Sequence, residues 1–315
     1  MHVVFRESHG LEETDTPTDL GQDPADLVVL SFSDSDLGAF AEGWRRGGGP
    51  EGRLPSLRLA NLSTLRHPLS VDTYIDNTLS GAKGILIRLI GGVPYWEYGV
   101  QQVMALAQSK GIAVAVLPAD GRPDTRLDAV STLPVSTLRR LAHLCDSGGA
   151  VAAQAALAQM ALAAGLYAAP VRGAKTISSV GAWTPQDGPA CPLGDMPTSD
   201  AARVLIVFYR SYLVAADLAP ITAMYNAFRA QGYHVRALFV PSLKAPDARG
   251  WLERQVRAYA PNAIVNATAF SGKGAGEASP LDAGNVPVFQ VALSTSTRDA
   301  WAEAERGLSP ADLAM

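Results

Sequence analysis

Cysteine, histidine and blocks of like charge are all scarce in this chain of 315 residues. The two cysteines, Cys145 and Cys191, stand far apart and lack CxxC spacing, which excludes a disulfide framework and a zinc knuckle. The five histidines (His2, His9, His67, His143 and His234) are scattered, and neither an HExxH helix nor a GxSxG elbow occurs. Local metal catalysis is therefore not encoded here. Lys plus Arg (26) nearly balance Asp plus Glu (30), giving a formal net charge of −4. Without a basic block to track a phosphate backbone, nucleic acid is not an expected partner. No apolar run approaches membrane-spanning length, and the opening Met1-His2-Val3-Val4-Phe5-Arg6-Glu7 has neither the basic nor the apolar region of a secretory signal. The expectation is a cytoplasmic protein without membrane contact, whose sequons Asn61-Leu62-Ser63 and Asn266-Ala267-Thr268 are chance matches.

What the chain does have is a 48% hydrophobic content organised as short β-rich runs alternating with helix-period segments. That alternation reads as α/β architecture. Two doubly wound, mostly parallel-sheet modules of flavodoxin or Rossmann type are expected, joined by a Pro/Gly-rich linker. Strands are expected at His2–Phe5, Leu27–Ser31, Leu57–Leu62, Gly84–Ile90 and Ile112–Leu117, near-continuous apolar runs suited to sheets covered on both faces. Tyr95–Lys110 places Val100, Val103, Met104 and Ala107 on one helical face and ends at Gly111, a C′ residue. Two helices are expected within Thr132–Tyr167, where Val151–Leu166 is rich in Ala and Leu. Gly181–Asp200 holds Pro185, Pro189, Pro192 and Pro197 and reads as an extended linker. The domains are accordingly drawn as 1–180, linker 181–200, and 201–315. In the second module strands are expected at Arg203–Tyr209, Val235–Val240, Ala263–Ala267 and Val286–Val291, with helices at Ala215–Gln231, Asp247–Tyr259 and Thr297–Glu305. Ser309-Pro310 reads as the start of a further helix, so the end at Met315 is expected to be a truncation.

Few motifs carry chemistry. The glycine-rich Ser271-Gly272-Lys273-Gly274-Ala275-Gly276-Glu277 matches neither a dinucleotide fingerprint nor a Walker loop, and a flexible loop is the better reading. Asp34 and Asp36 stand where a helix should begin, so N-capping is expected of them rather than cation binding. The segment from Arg88 to Trp96 is more informative. It places an arginine near the C-terminal end of an apolar strand, then Gly91 and Gly92, then Tyr95 and Trp96 opening a helix, at the sheet edge where open α/β proteins bind ligands. A large, flat, anionic ligand would suit Arg88 for its carboxylates, the glycines for close approach, and Tyr95 or Trp96 for stacking. A structural turn with buried aromatics is the other reading. Ser242, Lys244, Asn266, Thr268 and Phe270 occupy the corresponding edge of the second module, where loop hydrogen bonding and capping are the alternative.

Ordered segments carry a resemblance. Ser56-Leu57-Arg58-Leu59-Ala60-Asn61-Leu62 followed by Leu65-Arg66-His67-Pro68-Leu69-Ser70-Val71-Asp72-Thr73-Tyr74 is similar to a hallmark stretch of the CobN family of cobalt chelatase large subunits. Arg88–Tyr98, Ala115–Asp120, Phe208-Tyr209-Arg210, Phe239–Lys244, Val265–Phe270, Pro287–Gln290 and Leu308–Met315 follow in the family's order. Departures fall at Ala119, where glycine is usual, and at Ala216–Thr222. The resemblance implies the N-terminal portion of a subunit that binds hydrogenobyrinic acid a,c-diamide and takes Co²⁺ as substrate metal. It implies CobS and CobT as partners forming an AAA+ motor that hydrolyses ATP, and catalytic residues beyond residue 315, in a region shared with magnesium-chelatase H subunits. On this reading the isolated chain inserts no cobalt, binds no cofactor of its own, and offers Arg88 and Lys244 to ligand carboxylates. A magnesium-chelatase H subunit acting on protoporphyrin, and a non-enzymatic α/β binding module, are the alternatives.

Overall fold

A computed structural model describes residues 16–119, 123–173, 175–191, 193, 201–268, 278–294 and 298–303. The chain divides into two compact units. Among the described residues, 16–176 with 214–216 form the N-terminal unit, and 177–213 with 217–303 form the C-terminal unit.

The N-terminal unit runs β1 (Leu27–Ser31), α1 (Asp34–Arg46), β2 (Leu57–Asn61), α2 (Pro68–Asn77), β3 (Gly84–Leu89), α3 (Glu97–Lys110), β4 (Ala113–Pro118), α4 (Val135–Ser147) and α5 (Gly149–Ala163). Its four strands are parallel in the order β2-β1-β3-β4. Every residue of β1 and β3 is buried, as apolar runs covered on both faces must be. Alternate residues go to opposite faces. Val28, Leu30, Ile85, Ile87, Val114 and Val116 meet Val71 and Tyr74 of α2 and Val100 and Val103 of α3. Leu27, Val29, Leu86, Ala115 and Leu117 meet Phe40 of α1, Leu138 and Leu141 of α4, and Ala156 and Leu157 of α5. The central helix α5 buries residues all round its axis, and its alanines let α1 come close. A Cβ on Gly43 of α1 would stand 2.6 Å from the backbone nitrogen of Gln154. Gly111 ends α3 with φ +70° and its N–H on Ala107 O, the left-handed cap read from the sequence.

The C-terminal unit contains β5 (Gly181–Thr184), β6 (Gly188–Cys191), β7 (Arg203–Tyr209), α6 (Arg210–Ala215) up to Leu213, α7 (Ala219–Ala230), β8 (His234–Val240), α8 (Pro246–Tyr259), β9 (Ala263–Ala267), β10 (Val288–Gln290) and α9 (Arg298–Glu303). The sheet order is β10-β9-β7-β8-β5-β6. The first four are parallel, and β5 pairs antiparallel with both β8 and β6. One face packs Leu205, Val207, Leu238, Val240 and Ile264 against Leu252, Val256 and Tyr259 of α8. On the other, Phe208 meets Trp183 edge-on at 5.9 Å, and Trp183 meets Tyr225 of α7 at 6.2 Å.

Two expectations need correction. Residues 181–191, read as linker, form a β-hairpin hydrogen-bonded to the sheet. The prolines marked this stretch as a crossing, but Pro185 falls in the turn and Pro189 on the outermost strand, where its missing N–H costs little. Between them and β8 the short Gly-Ala-Trp-Thr run buries Ala182 and Trp183. The helix expected over Ala215–Gln231 begins four residues later, as α7, and a further short helix, α6, precedes it. Ala216 takes φ +56°, and Pro220 enters the first turn of α7, a place where proline starts helices rather than continuing them. The strand His2–Phe5, the loop 271–277 and the helix start at Ser309 lie outside the described residues.

Candidate binding site

In both units the four parallel strands, numbered among themselves in chain order, run 2-1-3-4, and in the C-terminal unit the antiparallel β5 and β6 extend the sheet beyond β8. Such a sheet reverses direction between its first and third strands, and the crevice beyond their C-terminal ends is where ligands bind. The reversal lies between β1 and β3 in the N-terminal unit and between β7 and β9 in the C-terminal unit.

At the first reversal Ser31 is the strand partner of Arg88. The Arg88 side chain is only 4% exposed, with Nε 3.0 Å from Asp36 Oδ2. That nitrogen is not aligned for a hydrogen bond, so the contact is an ion pair. Nη1 and Nη2 each donate to Asp146 Oδ1 at 3.3 Å, and Ser31 Oγ donates to Asp36 Oδ2 at 2.9 Å. Burial pulls the guanidinium pKa down, but Cys145, Asp36 and Asp146 outweigh it and hold the pKa above the ordinary arginine value. A cavity of about 30 Å³, lined by Asp36, Phe40, Cys145 and Val214 among others, adjoins the cluster and has room for about one water. Arg88 thus takes the arrangement of an internal salt bridge, and a ligand reaching it would have to displace two carboxylates. Asp34 and Asp36 do not cap α1 with their carboxylates. Ser33 does, accepting from Asp36 N, while Asp34 accepts from Asn61 Nδ2 at 2.7 Å.

Beyond β3 the chain opens out. Gly91 and Gly92 have φ of +78° and +85°, the left-handed region that side chains resist. The Tyr95 ring lies across Gly91, where a Cβ would stand 2.2 Å from Cε2, and Tyr95 is 66% exposed. Trp96 turns the other way. It is buried in the core, and its Nε1 donates to Leu65 O at 2.8 Å. Of the two aromatics, only Tyr95 is available for stacking. On the far side of the glycines a Cβ on Gly92 would meet Asp124 Oδ2 at 3.1 Å and Arg126 Nη2 at 3.6 Å. Arg126 was not singled out in the sequence, where Asp124-Thr125-Arg126 carries no motif. The signal is an Asx-type cap: Asp124 Oδ1 accepts from Arg126 N at 3.0 Å and opens a 3₁₀ turn. The guanidinium holds the Asp124 carboxyl below its ordinary range, chiefly through their hydrogen bond.

At the second reversal Asn266 and Thr268 are fully buried. Asn266 Oδ1 accepts from Thr268 N at 3.2 Å and Thr268 Oγ1 at 2.8 Å. Asn266 Nδ2 donates to Gln290 Oε1 at 2.8 Å, and Gln290 Nε2 donates to Thr268 O. Gln290, exposed on β10, is the member of this network that meets solvent and was not among the expected site residues. Lys244 is exposed, its backbone N–H on Ser242 Oγ at 3.1 Å. Phe270 lies outside the described residues. Among the described residues no three His, Cys, Asp or Glu side chains gather around a common point, and no helix is long and apolar enough to cross a membrane.

The sequence profile of the CobN/Magnesium Chelatase family matches residues 136–315, more than half of the chain. The chain belongs to the CobN/magnesium chelatase family. Two proteins named aerobic cobaltochelatase subunit CobN are similar along its whole length. One, from Sinorhizobium sp, is 33% identical over 329 residues. The other, from Pseudomonas aeruginosa, is 35% identical over 326 residues. The chain spans about a quarter of the length of each of these CobN relatives (25%). Its fold is similar to that of the catalytic subunit of cobaltochelatase from Mycobacterium tuberculosis, with a TM-score of 0.68, 21% identity, and coverage of 91% of this chain and 23% of that one.

Proposed function

We propose that the chain is the N-terminal part of the tetrapyrrole-binding large subunit of an ATP-dependent cobaltochelatase. That subunit inserts Co²⁺ into hydrogenobyrinic acid a,c-diamide during aerobic cobalamin biosynthesis, with CobS and CobT hydrolysing ATP as its motor. The similarity to two CobN proteins over the whole chain carries this reading. Metal insertion requires bases to remove the ring N–H protons, loss of metal hydration water, and an enclosed site. These tasks fall to residues outside this chain, and its own part is to supply a wall of the tetrapyrrole cleft.

Within that role the C-terminal sheet edges are the contact surfaces. Tyr95 lies over Gly91 as a stacking platform, Gly92 allows close approach, and Lys244 projects into solvent as a cation for peripheral carboxylates. Arg88, Trp96, Asn266 and Thr268 act from behind, as the buried frame that fixes those loops.

Two measurements test this. Titrating hydrogenobyrinic acid a,c-diamide and protoporphyrin IX against the chain should show tighter binding of the corrinoid precursor. A preference for protoporphyrin would move the assignment to the magnesium-chelatase H branch of the same family. With CobS, CobT, ATP and Co²⁺ added, the chain alone should insert no cobalt, and insertion at the rate of a complete CobN subunit would overturn its role as a non-catalytic part.

A further inference from the structure

Arg88 is the arginine that the sequence places at the edge of the N-terminal sheet, yet two carboxylates enclose it. The same edge presents another guanidinium to solvent. We propose that Arg126, paired with Asp124 and set beside Gly92 and Tyr95, is the anion-binding residue of this unit, and that its ligand is a planar conjugated ring bearing peripheral carboxylates. This inference rests on the tetrapyrrole-cleft reading and names the residue that reads the ligand's charge.

The geometry is that of a prepared site. Asp124 Oδ1 accepts from Arg126 N at 3.0 Å and from Nε at 2.9 Å, and Asp124 Oδ2 accepts from Nη2 at 2.8 Å. This fork fixes the guanidinium plane before any ligand arrives, so less rotamer entropy is lost on binding. Nη1 makes no hydrogen bond to the described residues, and the Arg126 side chain is 76% exposed. Its two N–H groups are therefore available to a carboxylate. The glycine pair separates this cation from the Tyr95 ring. Gly91 and Gly92 are adjacent, with Cα atoms about 3.8 Å apart, and the ring covers one while the ion pair borders the other. A flat ring laid on the glycine backbone would meet the tyrosine face on one side and direct a peripheral carboxylate to Nη1 on the other. A side chain on Gly92 would press on Asp124 and force the strained φ of +85° onto a residue that resists it.

The test uses uroporphyrin, a porphyrin whose side chains are all carboxylates, and a tetra(N-methylpyridinium) porphyrin as its cationic counterpart. Binding to the full chain is followed by quenching of intrinsic fluorescence. The wild-type chain should bind uroporphyrin, and Arg126→Ala should weaken it by about ten-fold or more, the loss expected for a charge-assisted hydrogen bond. Arg126→Lys should recover part of that loss. Thermal melting of both variants should match wild type, since the side chain is exposed. Equal affinity of Arg126→Ala and wild type for uroporphyrin, or equal wild-type affinity for the cationic porphyrin, would overturn the assignment to Arg126 and leave the cleft reading in place. No binding of uroporphyrin or of hydrogenobyrinic acid a,c-diamide by the wild-type chain would overturn both.

Discussion

The parallel strands of the two units share one order, but their reversal points are filled with opposite chemistry. Beside β1 and β3 the N-terminal unit buries a charged cluster of Arg88 with Asp36 and Asp146. Beside β7 and β9 the C-terminal unit holds a neutral network in which Asn266 and Thr268 are buried and Gln290 meets solvent. Their surroundings differ in step. The N-terminal sheet is sealed on both faces by tightly packed helices, whereas the C-terminal sheet has one dense face and one closed by an edge-to-face aromatic cluster under α7. A buried ion pair repays its desolvation only when geometry holds both charges in place, and the sealed unit supplies that rigidity. A neutral amide network has no charge to desolvate and asks less of its frame.

Removing Arg88 should break this comparison most severely. Arg88→Ala would leave Asp36 without its cation, and a loss near the low end of about 3–5 kcal/mol is expected because Asp146 is partly solvated. Arg88→Met in an Asp36→Asn, Asp146→Asn background should recover much of it, as isosteric neutral replacements of buried ion pairs do. Urea denaturation of the variants measures both. If Arg88→Ala melts like wild type, the cluster does not hold the N-terminal unit together.

The neutral network should yield less. Asn266→Ala removes the donor to Gln290 Oε1 and the acceptor of the Thr268 N–H and hydroxyl, with an expected cost of about 1–3 kcal/mol. Asn266→Asp should be worse than Asn266→Ala if the site tolerates only a neutral group, since it buries a charge and sets a carboxylate oxygen against Gln290 Oε1, the acceptor that Asn266 Nδ2 serves. Chemical denaturation followed by Trp183 fluorescence should resolve the two.

The smallest effect is a pH dependence in the C-terminal unit. Burial pushes the Tyr259 phenol up to about 12, against the lowering by Arg236 and Arg203. Its hydroxyl donates to His234 O at 3.0 Å, and Arg236 lies 4.4 Å over its ring. Since the folded pKa lies above the ordinary value of 10.0, the stability it contributes is complete below pH 10 and is lost as pH rises towards 12. Tyr259→Phe should flatten the melting temperature across that window. An unchanged slope would show that other groups govern alkaline unfolding.

Most strands were legible because burial on both faces leaves continuous apolar runs such as Leu-Val-Val-Leu-Ser in β1 and Gly-Ile-Leu-Ile-Arg-Leu in β3. Gly111 was legible as a cap because only a local φ is at stake. The β5–β6 hairpin was not, because a four-residue strand with glycine at its start and proline just beyond has the composition of a linker, and only pairing with β8 makes it a strand. The break between α6 and α7 carried a signal in Pro220, while the positive φ of Ala216 carried none.

Sequence alone determined the α/β class, the positions of the parallel strands and the location of their C-terminal edges, since apolar periodicity and turn residues act over a few neighbouring positions. It also placed an arginine, two glycines and two aromatics on one such edge. Only the tertiary structure decided which of them face solvent. Arg88 is enclosed because α1 and the end of α4 bring Asp36 and Asp146 to it, Trp96 is drawn inward by Leu65, and Tyr95 and Arg126 remain outside. Those outcomes depend on partners distant in the chain, which no local pattern encodes.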